Sequence, residues 1–254
     1  MALEDKLNEK NIIKKKKRPF LKSFLLATAF LASPDNLHTE TYKPQAPETS
    51  NYETILNENE VYNNNDMYSF NIKEVTTPKW TLQGRVERAE RFRDLFEKYE
   101  NKYSIPSGLL AGLAMQESYA EPITLNSTDD GGGGPMQFQP GTARSLGMKI
   151  LGESNRTGRD FNHGRELRDL LERHDYNIDI IARIDERFDP TKAIPAAAFY
   201  LSHLKDRFGT WERAVSAYRR GRPAINPMNT PDVTNIYAFM NAYNKGLSDN
   251  IVSR

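Results

Sequence analysis

The run Gly108-Leu-Leu-Ala-Gly-Leu-Ala-Met-Gln-Glu-Ser118 constrains this chain more than any other segment. It reads as an apolar helix, opened by Ser104-Ile105-Pro106 as a capping residue with an early proline. Leu110, Leu113 and Ala114 stand seven, four and three residues before Glu117 and therefore share its face. If that face meets the core, Glu117 points inward. Burial disfavours the ionised carboxyl and raises its pKa, as a general acid working near neutrality requires. The negative end of the helix dipole pushes the same way. A lone glutamate at a helix end is ordinarily capped or solvated, so its meaning depends on the loop beyond the helix.

That loop is Ser127-Thr-Asp-Asp-Gly-Gly-Gly-Gly-Pro-Met-Gln-Phe-Gln-Pro140. The glycines Gly131–Gly134 let a backbone approach a ligand closely and take positive φ. No Gly-Lys-Ser/Thr comes after them, and Asp129-Asp130 would repel phosphate, so the loop is not a phosphate cradle. Met136 and Gln137 offer a soft apolar contact and an amide suited to sugar hydroxyls and N-acetyl groups.

Around this pair of segments the periodicity is helical throughout. Val86, Ala89, Phe92, Leu95 and Phe96 recur at spacings of three and four from near Trp80 onward. Thr142–Gly147 forms a short helix with a glycine stop. Residues 151–187 are highly charged, with helical spacing over Arg165–Arg173 and Ile178–Ile184, and read as an inserted helical pair or lid. Ala193–Phe208 is amphipathic, with Ala197, Tyr200, Leu201 and Leu204 on one face. Trp211–Arg219 and Val233–Tyr243 complete the set, and no strand alternation is evident. The fold class is therefore all-α, with the folded domain at 80–246 and a tail at 247–254. Trp80 and Trp211 are expected to be core or groove aromatics.

The N-terminal third is different in kind. Lys14-Lys-Lys-Lys-Arg18 precedes Phe24-Leu-Leu-Ala-Thr-Ala-Phe-Leu-Ala32, the layout of a secretory signal, so residues 1–33 read as a signal peptide or short membrane-targeting segment. The apolar stretch is too short to span a bilayer, which takes about 20 residues. A basic tail with an amphipathic segment after it is the alternative. Residues 34–79 are rich in Asn, Glu, Thr, Pro and Tyr and read as a disordered, solvated linker; a loop docked through its tyrosines is the competing reading. The mean hydropathy of −0.71 fits a chain that is not packed throughout. Eight of the 35 Lys/Arg and three of the 34 Asp/Glu lie in residues 1–33, which leaves the body mildly acidic and argues against nucleic acid as a partner. Cysteine is absent, which removes disulfides, thiolate nucleophiles and a lipid anchor on Cys. His38, His163, His174 and His203 are scattered without ligand spacing, so neither a metal nor another cofactor is expected. No Gly-x-Ser-x-Gly elbow surrounds Ser118, whose expected role is a local hydrogen bond.

Taken in order, Glu117-Ser118-Tyr119, Pro122, Ser127, Gly134-Pro135-Met136-Gln137-Phe138 and Pro140-Gly-Thr142-Ala143 resemble the soluble lytic transglycosylases (SLT) and goose-type lysozymes. Phe188-Asp189-Pro190, Ala196-Ala-Ala-Phe-Tyr200-Leu201, Leu204, Phe208-Gly209 and Ala217-Tyr218-Arg-Arg-Gly221 look like the second half of the same domain. The resemblance covers roughly residues 100–245. It implies a lysozyme-like α fold acting on peptidoglycan glycan strands, with Glu117 as the catalytic acid. It places Ser127, Met136 and Gln137 along the cleft and brings Tyr218 and Tyr237 toward the reacting sugar. One carboxylate would suffice. Glu117 would protonate the oxygen joining N-acetylmuramic acid to N-acetylglucosamine, then take the proton of the muramoyl C6 hydroxyl as it closes a 1,6-anhydro ring.

The chain departs from the family pattern in four places. Pro135 replaces a usual leucine, the Ser127–Gln137 spacing is slightly long, Arg219 stands where Asn is typical, and 151–187 is longer than most members carry. Two rival functions stay open. Asp129 or Asp130 would position water in a muramidase that hydrolyses the same bond, or the domain would bind glycan as a silent scaffold. Export to the periplasm or cell envelope is expected, with membrane contact only through the N-terminal segment and envelope-spanning machinery as a candidate partner.

Overall fold

The computed structural model describes residues 74–126 and 128–252, with side chains described to residue 246. The signal-like segment 1–33, linker residues 34–73 and Ser127 lie outside the described residues. All described residues belong to one compact unit. Among them every regular element is helical, and extended pairing is confined to two isolated bridges, Leu125 with Gly133 and Gly133 with Phe138. The all-α expectation therefore holds. None of the described helices is long and apolar enough to cross a membrane.

Helix α1 (Leu82–Glu90) starts where Thr81 accepts a hydrogen bond from the Gly84 amide, an N-cap one turn long. The apolar stripe from Val86 to Phe96 is continuous, but the backbone is not. It breaks at Arg91-Phe92 before α2 (Arg93–Lys102), and Arg91 turns its guanidinium onto the carbonyls of Arg88 and Ala120. Trp80 is 72% exposed and takes no part in the core; it precedes the N-cap, so no helical packing carries it inward. Trp211 packs on the core as expected.

Helix α3 (Leu109–Ser118) is the centre of the molecule, with Leu109 to Met115 all buried. Ser104 does not cap it. The N-cap is Gly108 at φ 79°, and the free amides of Gly108 and Leu110 donate to the two carboxylate oxygens of Glu100, each at 2.8 Å. Glu100 arrives from α2, so one helix caps the next. Its burial pushes the carboxyl up to about 7 against the pull of those two amides.

Helix α4 (Pro140–Ser145) comes directly after the glycine loop. The charged segment contains α5 (Phe161–Arg173) and α6 (Ile178–Ile184), capped by Asp160 and Asn177 respectively. Leu167, Leu170, Leu171, Ile181 and Phe188 form a small core of their own here, apart from the main one. Helix α7 (Pro190–Phe208) begins three residues before its amphipathic stripe, because Asp189 caps the Thr191 amide and Pro190 sits in the first turn. Helix α8 (Trp211–Arg220) and helix α9 (Pro231–Val252) close the domain. Helix α3 packs chiefly on α9, so closely that a Cβ at Gly112 would meet the Ile236 carbonyl at 2.5 Å.

Candidate active site

The end of α3 is built to hold one side chain in place. After Ser118 the chain reverses through Tyr119 (φ 62°) and Ala120 (φ 55°), and the Ala120 amide donates to the Ala114 carbonyl at 2.9 Å. Two consecutive non-glycine residues in the left-handed region cost about 1–2 kcal/mol each. Three arginines on α1 and at its end support that turn. Arg85 donates to the Met115 carbonyl at 2.6 Å and lies over the Tyr119 ring, while Arg88 and Arg91 both pair with Glu121. Their spacing (85, 88, 91) is a stripe legible in the sequence, where it looks like ordinary solvated charge.

Glu117 stands in the last turn of α3 with its side chain 13% exposed. Burial pushes its carboxyl up to about 7; Arg219 pulls it down, and the charges of Asp232 and Asp130 add smaller upward contributions. The inward orientation inferred from Leu110, Leu113 and Ala114 is therefore what the fold produces. Arg219 of α8 donates through Nη1 to Glu117 Oε1 at 2.7 Å. In the sequence Arg219 stands out only as a departure from the family pattern; no local signal connects it to a carboxylate 102 positions away.

The glycine loop reaches this point through backbone groups. Ser118 Oγ donates within 2.8 Å of the Pro135 carbonyl, with the Ala114 carbonyl also in reach, which ties the end of α3 to the loop. The Tyr218 hydroxyl donates to the Met136 carbonyl at 2.9 Å, and its ring packs against Phe138 and Tyr200. Burial raises the Tyr218 phenol well above its ordinary range, and the nearby Glu117 charge adds to it. The loop, Tyr218 and Glu117 thus form one cluster.

Other expected site residues are placed differently. The Met136 side chain is wholly buried, so it reaches the site through its carbonyl. Gln137 (φ 50°) gives its amide nitrogen to the carbonyls of Thr124 and Gly134, both at 2.8 Å, leaving its oxygen for other partners. Tyr237 interacts with Glu212 rather than with Glu117, and burial together with that charge raises its phenol. Ser127 falls outside the described residues.

The glycines do not open the backbone toward a ligand. Gly131 to Gly134 are all buried; the charged segment and Phe188 just after it pack closely on Gly131, Gly133 and Gly134, while Gly132 meets Gln137 and Gln139 of the loop itself. A Cβ at Gly134 (φ 75°) would lie 1.7 Å from the Arg187 carbonyl, and one at Gly133 would meet the Phe188 ring at 3.1 Å. Arg187 itself is fully buried. It pairs bidentately with the buried Asp185 (2.9 and 2.7 Å) and donates through Nη1 to the carbonyls of Gly131 and Phe138 at 2.8 and 3.0 Å. Its Nη2 also lies 2.6 Å from His163 Nε2. Burial and the Arg187 charge lower the His163 pKa, and because a guanidinium only donates, Nε2 accepts from it and Nδ1 carries the ring proton. Residues 151–187 therefore act as the mould of the glycine loop.

The two aspartates are already engaged. Asp129 forms a bidentate pair with Arg168 of α5. Asp130, 6% exposed, accepts from Asn126 Nδ2 at 3.0 Å and from the Gly132 amide at 3.2 Å.

No curated protein and no solved structure matches the chain. The transglycosylase SLT domain matches residues 94–161 and 171–232, just over half of the sequence. The matched stretches carry Glu117, the glycine loop, Tyr218 and Arg219, and the gap between them falls inside α5 of the charged segment. With a helical fold and a family match over more than half of the sequence, the chain belongs to the transglycosylase SLT domain family.

Proposed function

We propose that this protein is a peptidoglycan lytic transglycosylase that cleaves the β-1,4 bond between N-acetylmuramic acid and N-acetylglucosamine and leaves 1,6-anhydromuramoyl ends. The observation that carries the reading is Glu117: a nearly buried carboxyl, pushed up to about 7, at a helix end beside a rigid loop. Such a group holds a proton near neutral pH and can release it, then retrieve one, at a single position. Protonated Glu117 gives its proton to the glycosidic oxygen as the C1–O bond breaks. The carboxylate then accepts the C6 hydroxyl proton while that oxygen bonds to C1, so Glu117 ends the cycle as it began. Tyr218 holds the Met136 backbone that forms the neighbouring wall, and Gln137 braces the same loop through the carbonyls of Thr124 and Gly134.

Hydrolysis by a water-positioning aspartate is the second reading, and Asp130 is its candidate because its charge reaches Glu117. The engagement of Asp129 with Arg168 and of Asp130 with the Asn126 side chain and Gly132 amide favours the one-carboxylate route. Mass spectrometry of soluble products from purified peptidoglycan separates the two: anhydromuramoyl ends are expected, and products one water heavier would replace this reading with the muramidase. Glycan binding without product release, unchanged by Glu117→Gln, would indicate a silent scaffold instead. A glycan-strand substrate sets the site of action in the periplasm or cell envelope, reached by way of the basic and apolar N-terminal segment. Envelope-spanning machinery is the partner class for an enzyme that opens the wall locally.

A further inference from the structure

The contact between Arg219 and Glu117 continues one residue further. Arg219 Nη1 occupies Glu117 Oε1 at 2.7 Å, and its Nε, buried without a hydrogen-bond partner, meets Asp232 Oδ2 at 3.5 Å. Asp232 lies in the first turn of α9 and is half exposed, whereas Arg219 and Glu117 are 21% and 13% exposed. A line of alternating charge therefore runs from solvent to the buried carboxyl: Asp232, Arg219, Glu117.

We propose that Asp232 and Arg219 are positioning residues for Glu117: Arg219 fills Oε1 so that the working proton is carried on Oε2, and Asp232 offsets the Arg219 charge that would otherwise keep Glu117 ionised. This rests on the transglycosylase reading of Glu117. A guanidinium donates only and never accepts, so the oxygen it occupies is closed to a proton that must be handed on. The other oxygen is left to face the glycosidic bond. A bare arginine beside the acid would be the wrong neighbour, because an adjacent cation favours the carboxylate. Asp232 supplies the opposing charge from α9, and Asp130 adds to it from the loop. Tyr218, next to Arg219 on α8, is the remaining titratable group in this environment and stays neutral. The proton balance of the reaction is unaltered, since Glu117 gives one proton and regains one on the same oxygen.

Two substitutions pull in opposite directions. Arg219→Met removes the cation, so the Glu117 titration midpoint moves to higher pH. Asp232→Asn removes the offsetting anion, so it moves to lower pH. Both are read from the carboxyl signal of Glu117 by carbon-13 NMR, assigned with Glu117→Gln, in protein whose melting curve shows it folded. In activity, Arg219→Met lowers kcat by about a hundredfold with little change in KM, the loss typical of a misplaced catalytic group. The alkaline limb of its pH profile tracks the NMR midpoint. Asp232→Asn, a half-exposed site where misfolding is no concern, shifts the limb the other way. Unmoved midpoints in both variants, or shifts of the same sign, would overturn the proposal. The NMR result stands whether or not anhydro products are formed, so failure of the transglycosylase reading is seen separately, in the product masses of the unsubstituted protein.

Discussion

The Ser118 hydroxyl lies 2.8 Å from the Pro135 carbonyl, joining the residue after Glu117 to the residue before Met136. Through this bond the end of α3 and the glycine loop form one rigid unit. Ser118 is completely buried, so Ser118→Ala leaves the Pro135 carbonyl without this donor. The expected cost is about 1–3 kcal/mol, read as a lower denaturation midpoint. kcat should fall more than KM rises, because the bond positions the acid and contacts no substrate. A variant as stable and as active as the parent would show that the two segments hold together without it.

Glu117→Gln should remove activity while leaving the fold intact, since glutamine keeps an oxygen for Arg219 but carries no transferable proton. The unsubstituted enzyme should lose kcat/KM as pH rises through about 7, where the free acid gives up its proton. The direction comes from the raised pKa: in the proposed mechanism the active form is the protonated one, and it persists to higher pH than an ordinary glutamic acid allows. An alkaline limb near the ordinary carboxyl range would contradict the burial argument.

Glu100 supplies a stability test of the same physics. Its carboxyl is raised to about 7, so the folded state binds a proton that the unfolded chain has released, and stability is lost as pH climbs from the ordinary carboxyl range through 7. In Glu100→Gln that pH dependence is absent. Relative to the parent, the variant should therefore gain on the order of 2 kcal/mol between pH 5 and pH 8, starting from a deficit at pH 5 because only one oxygen remains to cap α3. Parallel stability–pH curves for the two proteins would show that Glu100 does not titrate in this window.

The mould around the glycine loop predicts a sharp contrast between two glycines. Gly134→Ala places a methyl 1.7 Å from the Arg187 carbonyl at φ 75°, so it should destabilise by several kcal/mol, about 3 or more, and loosen the loop. Gly158 has nothing within 4 Å of its would-be Cβ, and Gly158→Ala should be close to neutral. Chemical denaturation of the pair decides it, with activity of the Gly134 variant falling alongside its stability.

Much of the molecule is readable along the chain. The inward face of Glu117, the two helices within 151–187 and the stripe of Ala197, Leu201 and Leu204 all rest on helical spacing, which is a property of neighbours three and four residues apart. Asp189-Pro190 carries the true start of α7 as a cap and a proline, although the apolar stripe points to Ala193. The misplaced start of α3 has a different origin: Ser104 is a good local cap, but the carboxylate of Glu100 outcompetes it from another helix. Gly131–Gly134 announce a close approach without saying to what, and the answer lies at Arg187, more than fifty positions away.

The sequence by itself determined that this chain is helical and that a single glutamate at the end of its apolar helix faces a glycine loop. Those features arise from short-range sterics, periodicity and capping, which any local stretch of chain expresses. Only the tertiary structure decided that Arg219 grips that glutamate, that Tyr218 holds the Met136 carbonyl and that the charged segment moulds the loop. Such contacts join residues tens of positions apart. Charge and hydrogen bonding act over a few ångströms, and it is the packing of the helices that brings those groups within that range.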